Sequence, residues 1–268
     1  GGLGSVSRTF QNQLVAGFTP GTNSLAQCKK LTFSTDTFTD NGWTLSGGRS
    51  SCAAVDAGSD DNTGLVAGGY LGPGWVSYVD KITLNSSTVS SAPLMLGNRY
   101  RGAAHSSGSS GSGYFSAQSA GAGPTTTISK VPFSTNSWQT SPATLSSIRR
   151  NSVGYSGLSK ALKSGMPAPI ERWFDGSPEN LKAYLIAGNT PSSPGGQSGT
   201  QKFNYTTETA STLSNGSLPT DVSYYGQNAA ATGNSTDGIH AGGWSSRTSK
   251  LSYSSDTWTV TGNLPSGG

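Results

Sequence analysis

The residues of this chain that could do chemistry are two histidines, two cysteines, thirteen carboxylates and a scatter of aromatics and arginines. His105 and His240 would bind a transition metal only if several further donors converged on them, and each reads more simply as an ordinary strand residue. Asp36, Asp40, Asp60, Asp61, Asp237 and Asp256 lie in sequence that reads as turns, and Asp80 and Asp221 have no evident mate. The paired acids of a glycosidase are therefore not visible. Asp56, Asp60, Asp61 and Asn62 form one acidic loop that could gather oxygen ligands for calcium, but the spacing matches no defined calcium loop and a solvated turn is the simpler reading. Cys28 and Cys52 are too few for a disulfide framework or a zinc cage. Either they face each other between neighbouring elements or they are two buried thiols. No Gly-x-x-x-x-Gly-Lys cradle for phosphates is present. The sequence thus points to no cofactor, no metal and no enzyme, and leaves recognition as the chemistry to be placed.

The elements that must position any such residues are set by composition. Charged residues make up 11% of the 268 positions, while 46 serines, 30 threonines and 38 glycines dominate. That is far from the Ala, Leu, Glu and Lys content of a helical protein. Disorder is opposed by six Trp, ten Tyr and eight Phe, too much aromatic surface to leave in water. Many short strands joined by Gly-rich turns remain. The 17 Lys and Arg never run longer than two together, so the net charge of +4 does not read as a nucleic-acid surface. No apolar stretch approaches the roughly 20 residues of a membrane span. The chain opens on Gly1-Gly2 without Met, which reads as a processed product or a piece of a longer protein.

Self-similarity then gives the architecture. A short run ending in Ala-Gly or a variant recurs with its alanine at 16, 67, 117, 187 and 241. Three of the four intervals lie between 50 and 54 residues, and the fourth, 70, requires an insertion. After each marker come a Gly-rich turn and an alternating strand such as Val79-Asp80-Lys81-Ile82-Thr83 or Ile128-Ser129-Lys130-Val131-Pro132. Period-two alternation with β-branched and aromatic residues reads as a strand with one buried face. A turn such as Ser34-Thr35-Asp36-Thr37 follows, often with an aromatic: Phe38, Trp138, Trp258. Its Asp is expected to hydrogen-bond the backbone two residues on. Arg49, Arg99 and Arg149 recur every 50 residues ahead of a strand of small residues. Four short strands, A to D, in each repeat make one blade, and blades must stack to bury their faces. The expectation is an all-β fold over residues 1–268, one five-bladed β-propeller of four-stranded antiparallel blades. The blades fall at about 1–46, 47–96, 97–146, 147–218 (with an insertion at 158–180) and 219–268. A β-sandwich with accidental periodicity is the competing reading.

The repeat resembles a kelch repeat in its Arg ahead of strand A, its aliphatic run into Gly-Gly (Leu65 to Gly69) and its Asn136-Ser137-Trp138 and Asp256-Thr257-Trp258 ends. Its local flavour, as in Ala-Ala-Ala-Thr-Gly-Asn-Ser at 229–235, is similar to kelch-like virion structural and tail-fibre proteins of marine bacteriophages, cyanophages especially. That resemblance implies a non-catalytic fibre or decoration module on a virion surface or outside the cell, partnered by other virion proteins or by a host receptor or glycan. A lectin-like propeller and, behind it, a glycosidase are the alternatives.

Antiparallel order puts the B–C and D–A loops on one face of the ring. Phe18, Tyr70, Trp75 and Trp244 gather there with Arg49, Arg99 and Arg149, the mixture typical of binding surfaces. In the plainer reading the aromatics cover blade ends and the arginines hold the D–A turns. The insertion at 158–180 contains Trp173 and Phe174 and is the most charged and apolar loop of the chain. Long loops of that kind usually serve function or a partner, and it is expected to meet a neighbouring subunit, with a second copy of the chain among the candidates and a self-packed lid as the alternative.

Overall fold

The computed structural model describes residues 4–9, 12–16, 26–32, 35, 37–56, 63–72, 74–83, 86, 88–99, 102–107, 111–116, 118–120, 123–148, 152–156, 182–186, 198–219, 229–233, 236–242 and 246–264. Among them there are strands and turns but no helix. Hydroxyl-bearing and β-branched residues that alternate with apolar ones favour extended backbone, and short Gly- or Asn-containing turns reverse it.

The first blade is β1 (Gly4–Thr9), β2 (Asn12–Ala16), β3 (Gln27–Thr32) and β4 (Thr37–Thr44). The second is β5 (Ala53–Asp56) and β6 (Thr63–Ala67), a small ribbon of β7 (Tyr70–Leu71) with β8 (Gly74–Trp75), then β9 (Val79–Thr83) and β10 (Thr88–Ala92). The third is β11 (Ala103–Ser106), β12 (Ser112–Ser116), a ribbon of β13 (Ser119–Ala120) with β14 (Gly123–Pro124), β15 (Thr127–Pro132) and β16 (Gln139–Thr144). The fourth is β17 (Val153–Ser156), β18 (Lys182–Ile186), β19 (Gly199–Asn204) and β20 (Thr209–Ser217). The fifth is β21 (Ala229–Gly233), β22 (Asp237–Gly242), β23 (Arg247–Ser252) and β24 (Thr257–Asn263). Each blade is a four-stranded antiparallel meander, and the five together form a five-bladed β-propeller. Strand A begins at Ala53 in the second blade and at Ala103 in the third, four residues after Arg49 and Arg99, and the two B–C ribbons were not expected.

The core lies between blades. Ala26, Cys28, Trp43 and Leu45 meet Cys52, Val66 and Ile82 at the first seam. Val55, Leu65, Val79 and Met95 meet Phe115 and Val131 at the second. Tyr114, Ile128 and Leu145 meet Leu185, Phe203 and Tyr205 at the third, and Tyr184, Ile186 and Leu218 meet Leu251 and Tyr253 at the fourth. Two of the turn aromatics, Trp138 and Trp258, belong to this joinery, whereas Phe38 is exposed. Trp138 Nε1 donates to the Pro93 carbonyl of the preceding blade (2.9 Å), and Trp258 Nε1 donates to Thr200 Oγ1 (3.0 Å). Deleting a large side chain from such a core costs about 2–5 kcal/mol.

The Gly-Gly that ends strand B has a steric cause. Gly68 and Gly69 hold φ of 65° and 121°, and their amides donate to the carbonyls of Tyr78 and Arg99. A Cβ on Gly68 would stand 2.4 Å from the Arg99 carbonyl oxygen, so neither the conformation nor the space admits a side chain. Gly68→Ala is expected to lower unfolding stability by about 2 kcal/mol or more in urea titration. A change within 0.5 kcal/mol would contradict the close approach of this turn to the 95–99 segment.

Candidate functional site

The C strand of every blade carries a lysine at one register position: Lys30 opposite Thr39, Lys81 opposite Ser90, Lys130 opposite Gln139, Lys202 opposite Ser211 and Lys250 opposite Thr259. In the middle blades these lysines cross a seam. Lys130 pairs with Glu208 of the fourth blade, and Lys202 with Asp256 of the fifth. Tyr114 and Tyr184, the cross-strand neighbours of those lysines, donate from their hydroxyls to the same carboxylates at 3.2 and 3.1 Å. Ser141 Oγ also donates to Glu208, at 3.4 Å. Glu208 and Asp256 hold left-handed φ of 48° and 53° at the C–D turn, which aims each carboxylate back at the preceding blade. The sequence reading gave this Asp a turn-forming role. The structure gives Asp256 an inter-blade one. Burial, reinforced by Glu208, raises the Tyr114 hydroxyl above its ordinary range and keeps it a proton donor.

On the opposite rim Arg49 and Asp80 form a fully buried ion pair at 2.7 Å. Arg49 Nη2 also donates to the Val66 carbonyl, and the Ser46 amide donates to both Asp80 oxygens at 3.2 Å. Gln201 repeats the Asp80 role two blades on by accepting from the Ser146 amide. Arg49 therefore departs from the expected binding surface, because its carboxylate partner draws the guanidinium into the core. For this residue the turn-holding reading is the one observed. The signal that could have found the pair was the C-strand residue before each lysine, which is Asp only in the second blade.

His105 lies on an inner strand at the third seam, with Nδ1 3.1 Å from Tyr205 Oη and its ring among Tyr114, Phe203 and Tyr205. Burial lowers its pKa from 6.5 to about 3, so the imidazole is neutral. His240 lies edge-on to Trp258, toward the fourth seam. Among the described residues no group of three or more His, Cys, Asp or Glu lies together. Cys28 and Cys52 are free, and both are buried in the first seam. Burial pushes the Cys28 thiol up to about 12 and raises that of Cys52.

The exposed apolar residues concentrate on the B–C and D–A side of the second and third blades. Tyr70 and Trp75 are cross-strand partners in the small ribbon, Tyr70 exposed and Trp75 half-buried. Tyr78, Leu94 and Leu96 are exposed beside them, and Ile148 is exposed on the third D–A turn. Backbone bonds from Met95 to Ser77 and from Arg99 to Val76 tie the two segments together. Arg99 is half-buried within this group. Tyr78, Leu94, Leu96 and Ile148 were missed because an isolated apolar residue in a turn looks the same in sequence whether it is covered or not. Phe18, Arg149, Trp173, Phe174 and Trp244, the insertion at 158–180, and Asp60, Asp61 and Asn62 of the acidic loop lie outside the described residues.

Two consequences are measurable. Asp80→Ala strands a buried guanidinium and should cost about 3–5 kcal/mol, while Arg49→Met with Asp80→Leu together should cost clearly less than either single change. Losses that simply add would contradict the buried pair. His105 is neutral when folded and titrates near 6.5 when unfolded, so the unfolded chain binds the extra proton as pH falls below 6.5. The stability it contributes is intact above pH 6.5 and is lost toward pH 3, by at most about 1.4 kcal/mol per pH unit for one proton. His105→Gln should therefore show a shallower fall in stability between pH 6.5 and 5 than the parent; parallel profiles would refute the assignment.

No protein-family model matches the chain, and no curated protein matches it.

Proposed function

We propose that this chain is a kelch-like propeller serving as a non-catalytic module of a phage particle, in a fibre or decoration, that holds host-surface or neighbouring virion proteins. The observation that carries the reading is the apolar patch of Tyr70, Trp75, Tyr78, Leu94 and Leu96 on the B–C and D–A face. Large exposed residues clustered on a rigid scaffold are what partner surfaces are made of. Lys130, Tyr114 and Glu208, and Lys202, Tyr184 and Asp256, are engaged in joining blades, which suits a display scaffold more than a reaction centre. Such a module would act at the virion surface or in the extracellular medium.

A lectin-like reading is favoured by one specific feature, the pairing of Tyr70 with Trp75 beside Arg99, since aromatic faces stack on sugar rings. The aliphatic pair Leu94 and Leu96 weighs toward protein, because aliphatic side chains offer a sugar no stacking face.

Immunogold electron microscopy with an antibody to this chain is expected to label phage particles at a fibre or capsid site. Label confined to cell surfaces would contradict the proposal. On isolated protein, Tyr70→Ser combined with Leu94→Ser and Leu96→Ser should leave the melting temperature within about 2 °C, since these side chains are exposed, while reducing attachment to particles or host cells at least tenfold. Glycan-array binding that Trp75→Ala abolishes would select the lectin version, and polysaccharide hydrolysis abolished by one Asp→Asn change would overturn the non-catalytic one.

A further inference from the structure

The outermost strand of a blade turns one edge away from its own sheet. The unpaired amides and carbonyls of that edge are a template for another chain unless something blunts them. Here the outermost strand is strand D: β4, β10, β16, β20 and β24 each end their sheet, and among the described residues no further strand pairs with any of them. Four of the five are blunted at the same level. The C–D pairing shifts register between Gln27 and Lys29 in the first blade and between Thr127 and Ser129 in the third. It shifts between Gly199 and Gln201 in the fourth and between Thr248 and Ser249 in the fifth. Strand D carries surplus residues there, among them Gly42 on β4, with a φ of 69°, Pro142 on β16 and Gly216 on β20. Bulges of this kind bend and twist an edge away from an incoming strand.

The second blade has no such break. β10 pairs residue by residue with β9, from Thr88 opposite Thr83 to Ala92 opposite Val79, straight through the level at which the other four shift. Its sequence, Thr88-Val89-Ser90-Ser91-Ala92, holds no charge, no glycine and no proline. Thr88, Ser90 and Ser91 are exposed. Pro93 ends the run, and its carbonyl is taken by Trp138 Nε1. Just beyond, Leu94 is 58% exposed, and Tyr78, which precedes β9, is exposed as well. A straight, uncharged edge thus leads into exposed apolar side chains.

We infer that the β10 edge is the seat of a two-fold dimer, in which β10 of a second copy of this chain adds antiparallel to it and joins the two second blades into one continuous sheet. The inference goes beyond the partner reading above, which concerns other proteins. An extended backbone edge is completed by another extended backbone, and self-complementarity selects the second copy. A two-fold contact sets a surface against itself, so an edge bearing one sign of charge would repel its copy. β10 bears none, whereas β4 carries the exposed Asp40. With the axis at Ser90, Thr88 of one copy lies opposite Ala92 of the other and Val89 lies opposite Ser91. Each pair joins small or β-branched side chains, which antiparallel strands accommodate face to face. The two copies of Leu94 then flank the joint, one at each end.

Sedimentation equilibrium on the intact chain tests this. The mass is expected to rise from 27.3 kDa toward twice that value as concentration climbs through about 10–100 μM. Ser90→Glu sets two carboxylates against each other across the axis and should weaken the dimer about tenfold or more. Within its own blade the new side chain faces Lys81, so the melting temperature should hold within about 2 °C. Ser90→Cys is the positive counterpart. Thiols at a directly opposed antiparallel pair lie within disulfide reach, and oxidised glutathione should convert this variant, but not the parent, into a covalent dimer. A parent that stays at 27.3 kDa at about 100 μM would overturn the inference, as would a dimer indifferent to Ser90→Glu. A monomeric chain whose Ser90→Glu form nonetheless attaches less to particles or cells would also overturn it, and would give the edge to an extended segment of another protein.

Discussion

A four-stranded sheet has two faces and can bury neither of them alone. In this chain that constraint is met by facing each blade with the next, and the apolar side chains that do so are modest: Val66 and Ile82 at one seam, Leu185 and Phe203 at another. With hydrophobic residues at only 32% of the sequence, burial is thin for 268 residues, and polar groups supply the rest of each seam. They do so in pairs placed on opposite rims. At the C–D rim a lysine and a tyrosine of one blade converge on an acid of the next, and at the D–A rim a turn amide finds Asp80 or Gln201. A partly buried carboxylate satisfied by two or three donors orients the joint as well as holding it.

Much of the architecture was legible in the sequence, because the repeat combines period-two strands with turn residues at fixed offsets. The Ala-Gly marker identified strand B in every blade, and the Gly68-Gly69 turn has the positive φ and close backbone approach that two glycines imply. The polar joinery was not legible. Asp256 in a Ser-Ser-Asp-Thr turn looks like a residue bonding its own backbone, and only the juxtaposition of blades brings Lys202 and Tyr184 to it. The Arg49–Asp80 pair was not legible for the same reason: the two residues stand 31 positions apart in sequence, a separation that the 50-residue repeat does not single out. Regularity gives the period, while departures from it, such as Asp80 in place of Ser129 or Ser249, carry the specific contacts.

The division of labour between buried polar groups and an exposed apolar patch bears on function. His105, Tyr114, Arg49 and Asp80 would attract attention in an unfolded list of residues, yet each is tied into a seam. Tyr70, Tyr78, Leu94 and Leu96 carry no chemistry of their own and stand at the surface. A scaffold whose ionisable groups secure its frame, with its recognition surface confined to loops of one face, tolerates change in those loops without losing the ring.

The central claim is that cohesion resides in the seams and not within single blades. Hydrogen exchange followed by mass spectrometry on Glu208→Gln measures this directly, because Glu208 belongs to the fourth blade while its donors Tyr114, Lys130 and Ser141 belong to the third. The account predicts faster exchange in β12 and β15 of the third blade together with β19 and β20 of the fourth. Loosening confined to the fourth blade, with the third as protected as in the parent, would contradict it.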